Sequence, residues 1–235
     1  MNPAGGGARL DHLVIGAASL AEGVAWCEAT LGVTPAPGGA HALFGTHNRL
    51  LRLASPSAPQ AYLEIIAVEA DATPTRSAPL RRWFDLDDPA LRRRLQHEGP
   101  QPIHWVARVP DIRAAVAAWA AMGIDRGPVI EATRPTPRGP LRWRISVRDD
   151  GQRLFGGALP TLIEWGDTHP ADSLPDDGLR LRTLALQHPE VDRLQAALAA
   201  IGLDGVTVGP GAAGLRADLT TPRGEPVSLH HTEPA

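Results

Sequence analysis

The chain has 235 residues and a mass of 24.9 kDa, with 43% hydrophobic and 21% charged residues, the composition of a folded globule with room for one large domain or a few small modules. A formal charge of −3 and a pI of about 6.3 supply no basic field for a nucleic-acid backbone or an anionic membrane, so neither is an expected partner. All 23 basic residues are arginine, and without lysine a Schiff base, a pyridoxal phosphate anchor and a P-loop lysine are excluded.

The start, Met1 to Arg9, is glycine-rich without an apolar run, and no window approaches the length of a membrane helix. A cytoplasmic protein with a frayed start is expected. Cys27 is the only cysteine, which rules out a disulfide framework or a thiolate metal cluster within one chain, and its apolar helical setting predicts a small core residue.

Three segments then share one pattern. The first (8–70) opens with a strand at Leu10-Asp11-His12-Leu13-Val14, continues into a helix over Leu20–Thr30, and adds short β-like runs at His41–Phe44, Asn48–Ala54 and Ala61–Val68. A connector (71–101) follows, with an arginine-rich helical stretch at Leu91–Leu95 whose acidic neighbours Asp85, Asp87 and Asp88 make it a solvated face. The second unit (102–168) has a first strand at Ile103-His104-Trp105-Val106, a helix over Ile112–Ala121, and runs at Val129–Arg134, Leu141–Arg148 and Thr161–Trp165. The third (178–231) repeats the order with a helix over Val191–Ala200 and runs at Val206–Val208, Leu215–Thr220 and Pro226–His230. From His12 to Gly32 is 20 positions, and from His104 to Gly123 and from Thr183 to Gly202 it is 19. Each helix ends on a glycine able to take the left-handed C-terminal conformation. The fold class is therefore α+β, built from repeated βαβββ modules.

His12 and His104 occupy the same place in the first strands of the first two units, and Glu64 and Glu164 fall among apolar neighbours in the last strands. A carboxylate buried in a strand is costly unless a cation or strong donor compensates it. Two histidines and two glutamates would do so around one divalent ion of the Mn, Fe, Co, Ni or Zn type, leaving positions open for substrate oxygens. The alternative is a pair of satisfied core histidines, with the glutamates paired to arginines.

The segments Leu10-Asp11-His12-Leu13-Val14, Gly38-Gly39-Ala40-His41, Gly45-Thr46-His47-Asn48-Arg49-Leu50-Leu51, Tyr62-Leu63-Glu64 and Leu162-Ile163-Glu164-Trp165-Gly166 resemble the glyoxalase-like branch of the vicinal oxygen chelate superfamily, over nearly the whole chain. The resemblance implies two βαβββ modules paired into an open mixed β barrel with helices outside, and a divalent metal held by His12, Glu64, His104 and Glu164. It implies chemistry on a small substrate with two adjacent oxygens: lyase or isomerase proton transfer through an enolate, with Glu64 or Glu164 carrying the proton. Members that sequester drugs without a metal, and extradiol dioxygenases, are the alternatives within the same resemblance.

Thr46, Asn48 and Arg49, on a turn leading into a strand, are candidate substrate contacts, and His41, after a turn at Gly38-Gly39, is a candidate general base. Arg144 lies on the polar face of an alternating strand, either an anion-binding wall or a solvated face. Trp105, Trp143 and Trp165 are core residues or stacking surfaces for a planar ligand. His169, His188, His230 and His231 receive no role. The third unit has Thr183 where the others have histidine and no glutamate in its last strand. It is expected to bind no ion and to act as an accessory module covering an edge or packing on a second copy in a homodimer.

Overall fold

The computed structural model describes residues 7–76 and 78–233; residues 1–6 of the start read as frayed lie outside them. The first module comprises β1 (Arg9–Gly16), α1 (Leu20–Leu31), β2 (Ala36–His41), β3 (Thr46–Arg52) and β4 (Tyr62–Val68). The connector forms α2 (Pro89–Glu98). The second module comprises β5 (Gln101–Arg108), α3 (Ile112–Ala121), β6 (Val129–Arg134), β7 (Leu141–Ser146) and β8 (Thr161–Trp165). The third comprises β9 (Arg180–Gln187), α4 (Val191–Ala200), β10 (Thr207–Gly209), β11 (Gly214–Thr220) and β12 (Pro226–Thr232).

Local chemistry sets these boundaries. Ser19 caps α1 by accepting the Glu22 N–H, and Gly32 ends it at φ 70°, donating to Glu28 O. Asp88 and Asp111 cap α2 and α3 in the same way. Cys27 faces inward, where burial, with Glu28 adding to it, pushes the thiol up to about 12, so it is a core group as expected.

Strands β1 to β8 form one mixed sheet in the order β2-β3-β4-β1-β5-β8-β7-β6. Each first strand pairs in parallel with its module's last, β1 with β4 and β5 with β8, and β1 joins β5 antiparallel at the centre. The sheet curls until the edge strands β2 and β6 approach, with Arg134 lying against Gly39. It is a nearly closed barrel. One difference from the sequence reading lies in β2, which includes Gly38-Gly39 rather than starting after them. A Cβ at Gly38 would collide with Asn48 and one at Gly39 with the Arg134 guanidinium, so these glycines mark a close approach of backbone to side chain instead of a turn.

The third module keeps the element order but not the pairing. Its first strand lies between β10 and β11, with β12 at the far edge, and its sheet is not hydrogen-bonded to the barrel. Leu184, Leu194, Leu215 and Leu219 instead join Leu13, Leu63, Trp105 and Trp119 in the outer core between sheet and helices. The Trp119 indole of α3 donates to Ala197 O of α4 at 2.7 Å, which ties the second and third modules together. A separate inner core, including Val14, Ile66, Phe84, Val106, Ile145 and Ile163, fills the barrel. A recess remains beside this core, lined by residues of both modules.

Candidate active site

The recess lies inside the barrel, between β1, β3 and β4 on one side and β6, β7 and β8 on the other. Strand alternation points His12 inward from β1, Asn48 and Leu50 from β3, and Tyr62 and Glu64 from β4. His12 Nε2 stands 3.6 Å from Glu64 Oε2, beyond an ordinary hydrogen bond. Asn48 donates its side-chain amide to Glu64 Oε1 at 2.6 Å. Its orientation is fixed by the other end, because Oδ1 accepts from the Gly39 N–H at 2.8 Å and from Arg134 at 3.4 Å. His41 approaches the same carboxylate to 4.0 Å and contacts Thr46 Oγ1 at 3.0 Å. Its burial, reinforced by Arg134, lowers the imidazole to about 3, so His41 is neutral near pH 7. Both Glu64 and His12 are 4% exposed, so the pair sits in a poorly solvated place where electrostatic interactions are strong.

Asp11 supports this pair from behind. A register shift in β1 between Leu10 and His12 lets consecutive side chains act together. Asp11 Oδ1 lies 2.6 Å from His12 Nδ1, and its other oxygen accepts from the Trp165 indole at 2.9 Å and contacts His169 Nε2 at 3.0 Å. Burial pushes the Asp11 carboxyl up, but the His12 and His169 hydrogen bonds and charges outweigh it and hold it well below the usual carboxylate range. Asp11 therefore holds a proton on His12 Nδ1 and turns Nε2 toward Glu64. Tyr62 stacks on the His12 ring with centroids 4.5 Å apart, fixing its plane.

The four residues expected to share a metal do not converge. His12 and Glu64 do meet. His104 is fully buried with Nε2 committed to Thr161, 3.0 Å from its Oγ1 and 3.2 Å from its backbone N–H. Phe84, which lines the recess, packs on the His104 ring at 5.2 Å, whereas His104 does not line it. Burial first, then Arg126 and Arg153, hold this imidazole well below its ordinary value. Glu164 projects from the opposite face of β8, where Oε1 accepts from Arg144 at 2.8 Å and Oε2 from the Ile112 N–H at 2.9 Å.

Strand register explains the mismatch. In the first module His12 pairs with Tyr62, and Glu64 lies two residues beyond. In the second, Val106 pairs with Thr161, so the same construction from His104 arrives at Thr161, an odd number of residues from Glu164 and on the other face. A hydroxyl thus stands where the second carboxylate was expected. Among the described residues, no group of three or more His, Cys, Asp or Glu side chains is arranged to hold a metal ion. What converges is one histidine and one carboxylate, His12 and Glu64, instead of a four-ligand cage.

The other candidates divide by the same parity. Asn48 and His41 line the recess, and Thr46 is buried behind His41. Arg49 is half-buried on the alternate face of β3. Arg144 lies with Glu131 and Glu164 along an outer groove. Trp143 and Trp165 line the recess, while Trp105 lies in the outer core. Three contacts of the site escaped the sequence reading: Asp11, which no repeat marked, and His169 and Arg134, which reach it from the second module's side of the chain. Arg134 ends a strand with an alternating exposure pattern, the one local signal that it could face inward.

A family model described as a glyoxalase-like domain matches residues 10–202. The chain belongs to the glyoxalase-like domain family. This agrees with the resemblance carried by the His12 and Glu64 segments. The glyoxalase-like chain is also similar in fold to a hypothetical protein from Staphylococcus aureus, at 13% identity and a TM-score of 0.59, over 88% of this chain and 87% of that one. More distant likenesses include two methylmalonyl-CoA epimerases. One is a Streptomyces coelicolor variant in complex with 2-nitronate-propionyl-CoA, at 19% identity and a TM-score of 0.43 over 68% of this chain and 96% of that one. The other is from Mycobacterium tuberculosis, at 19% identity and 0.37 over 66% and 85%. No protein of curated function matches the sequence. No described helix is long and apolar enough to cross a membrane.

Proposed function

We propose that the chain is an enzyme of the lyase or isomerase type that moves a proton on a small carbonyl compound through an enol. The observation that carries this reading is the 3.6 Å gap between His12 Nε2 and Glu64 Oε2. Two polar atoms face each other there in an enclosed recess, with each side chain held from behind, His12 by Asp11 and Glu64 by Asn48.

The chemistry follows from those roles. Glu64 Oε2 takes the proton from the carbon next to the carbonyl, and the electron pair of that C–H bond forms the C=C bond of the enol. The carbonyl π pair moves onto oxygen, which takes a proton from His12 Nε2 in its imidazolium form, stabilised by the Asp11 carboxylate. Return of the protons in reverse order, to the same or another carbon, completes exchange or isomerisation. The innermost recess has about 30 Å³ of free space, enough for a water molecule or the reacting oxygen, and opens past Leu50 and Pro170 into an outer chamber of about 370 Å³, ordinary for a small ligand.

Solvent deuterium exchange tests this. Pyruvate, 2-oxobutyrate, oxaloacetate and acetoacetate are incubated with the protein in deuterated buffer and followed by proton NMR. Enzyme-dependent loss of a signal next to a carbonyl is expected for at least one of them. Binding without exchange anywhere in the panel would overturn the enzymatic reading in favour of a sequestering protein.

A further inference from the structure

Among the described residues, Arg134 is the one cation at the neck between the inner recess and the outer chamber, lining both. No carboxylate pairs with it directly, and Glu64 acts on it only from a distance. Among the described residues, no carboxylate lies within 4.0 Å of its guanidinium, whereas Arg82, Arg148 and Arg153, also withdrawn from solvent, each have an acidic partner. Its Nε is buried without an acceptor, and its hydrogen bond is the long one to Asn48 Oδ1. Glu64, the nearest acid in the recess, is already held by the Asn48 amide that lies between them. The other charged or titratable groups of the outer chamber are Arg138, His169 and Asp172. Of these, Asp172 is engaged by Gln60 and the His169 N–H, and Arg138 adds positive charge.

The fold also reserves space for this cation. Gly39 of β2 has no side chain where one would meet Arg134 Nη1 at 2.5 Å. A half-buried guanidinium without an anion is expensive to keep, and burial lowers its affinity for the proton. Its planar fork matches a carboxylate in two parallel hydrogen bonds.

We infer that Arg134 anchors the carboxylate of the substrate, so that the site takes small organic acids whose carbonyl lies next to or near that group. A carboxylate at the neck places the adjoining carbons toward His12 and Glu64 and leaves the remainder of the molecule in the outer chamber. This identifies the substrate class of the proton-transfer reading above and rests on it for the word substrate, but its test is binding alone.

The probes are 2-oxobutyrate and its uncharged amide, titrated calorimetrically against the wild type and the Arg134→Gln and Arg134→Lys variants, with thermal melting as the check on folding. The acid is expected to bind the wild type, to bind Arg134→Gln about thirty-fold more weakly or worse, and to recover in part with Arg134→Lys. The amide should bind the wild type as weakly as the acid binds Arg134→Gln. Undiminished binding of the acid to a folded Arg134→Gln, equal binding of the amide, or no binding of the acid to the wild type overturns the assignment. The two readings fail separately: Arg134-dependent binding without deuterium exchange removes the enzyme and keeps the anchor, and exchange indifferent to Arg134 does the reverse.

Discussion

The His12→Gln variant should exchange the proton of a turned-over oxo acid about 10²- to 10⁴-fold more slowly than the wild type, the usual loss when a positioned acid or base is removed. Glutamine keeps much of the volume and can still pack on Tyr62, so melting should change little while the rate collapses. Asp11→Asn is expected to fall toward the same range with His12 still present, because an amide no longer supplies the charge that stabilises the imidazolium and can present a donor where Nδ1–H needs an acceptor. It should also lower stability by about 1–3 kcal/mol, since His169 and Trp165 lose a charged partner. Exchange rates by NMR beside thermal melts distinguish the two effects. A His12→Gln protein with the wild-type rate would remove His12 from the chemistry.

Acid should destabilise the fold well before its carboxylates titrate. His41 is buried with its folded value lowered to about 3, from 6.5 in a model peptide, and His104 is also displaced well downward. Above about pH 6.5 the native and unfolded states carry the same protons at these groups. Below it the unfolded chain takes up protons that the native state refuses, so each histidine removes about 1.4 kcal/mol of stability per pH unit. Between about pH 7.5 and pH 5 His41 alone should cost about 2 kcal/mol of the roughly 5–15 kcal/mol typical of a domain, with His104 adding in the same direction. Urea melts across that interval measure it, and the His41→Gln variant should show a shallower slope than the wild type. The Asp11 contribution has its own window: it is present in full above the ordinary carboxylate range and fades only under more acidic conditions. Stability that stays flat from neutral pH to pH 5 would contradict the buried, neutral state of both histidines.

The module repeat was legible because it rests on local rules. Helices ending at Gly32, Gly123 and Gly202 and the strand-sized apolar runs between them need no tertiary information. The His12 and Glu64 pairing was legible for the same reason, since both lie in long, regular strands of one module. Glu164 misled because its face depends on the length of the segment between β7 and β8, and one residue of register reverses every side chain. Gly38-Gly39 read as a turn because the side chains they make room for, Asn48 and Arg134, come from elsewhere in the chain. Asp11 was hidden by a register irregularity, which no periodicity forecasts, and His169 reaches it from 158 positions away in sequence. The third module shows the same limit at a larger scale: its element order repeats, but its strand pairing follows from packing on Trp119 and its neighbours.

Glu64 and Glu164 were equivalent by sequence and are opposites in space, so the most direct test compares Glu64→Gln with Glu164→Gln under identical exchange conditions. The first should lose about 10²-fold or more of the rate, while the second, which disturbs only Arg144 and the start of α3, should retain it. A Glu64→Gln protein that exchanges as fast as the wild type, or a Glu164→Gln protein that folds normally and fails equally, would place the chemistry somewhere other than the recess.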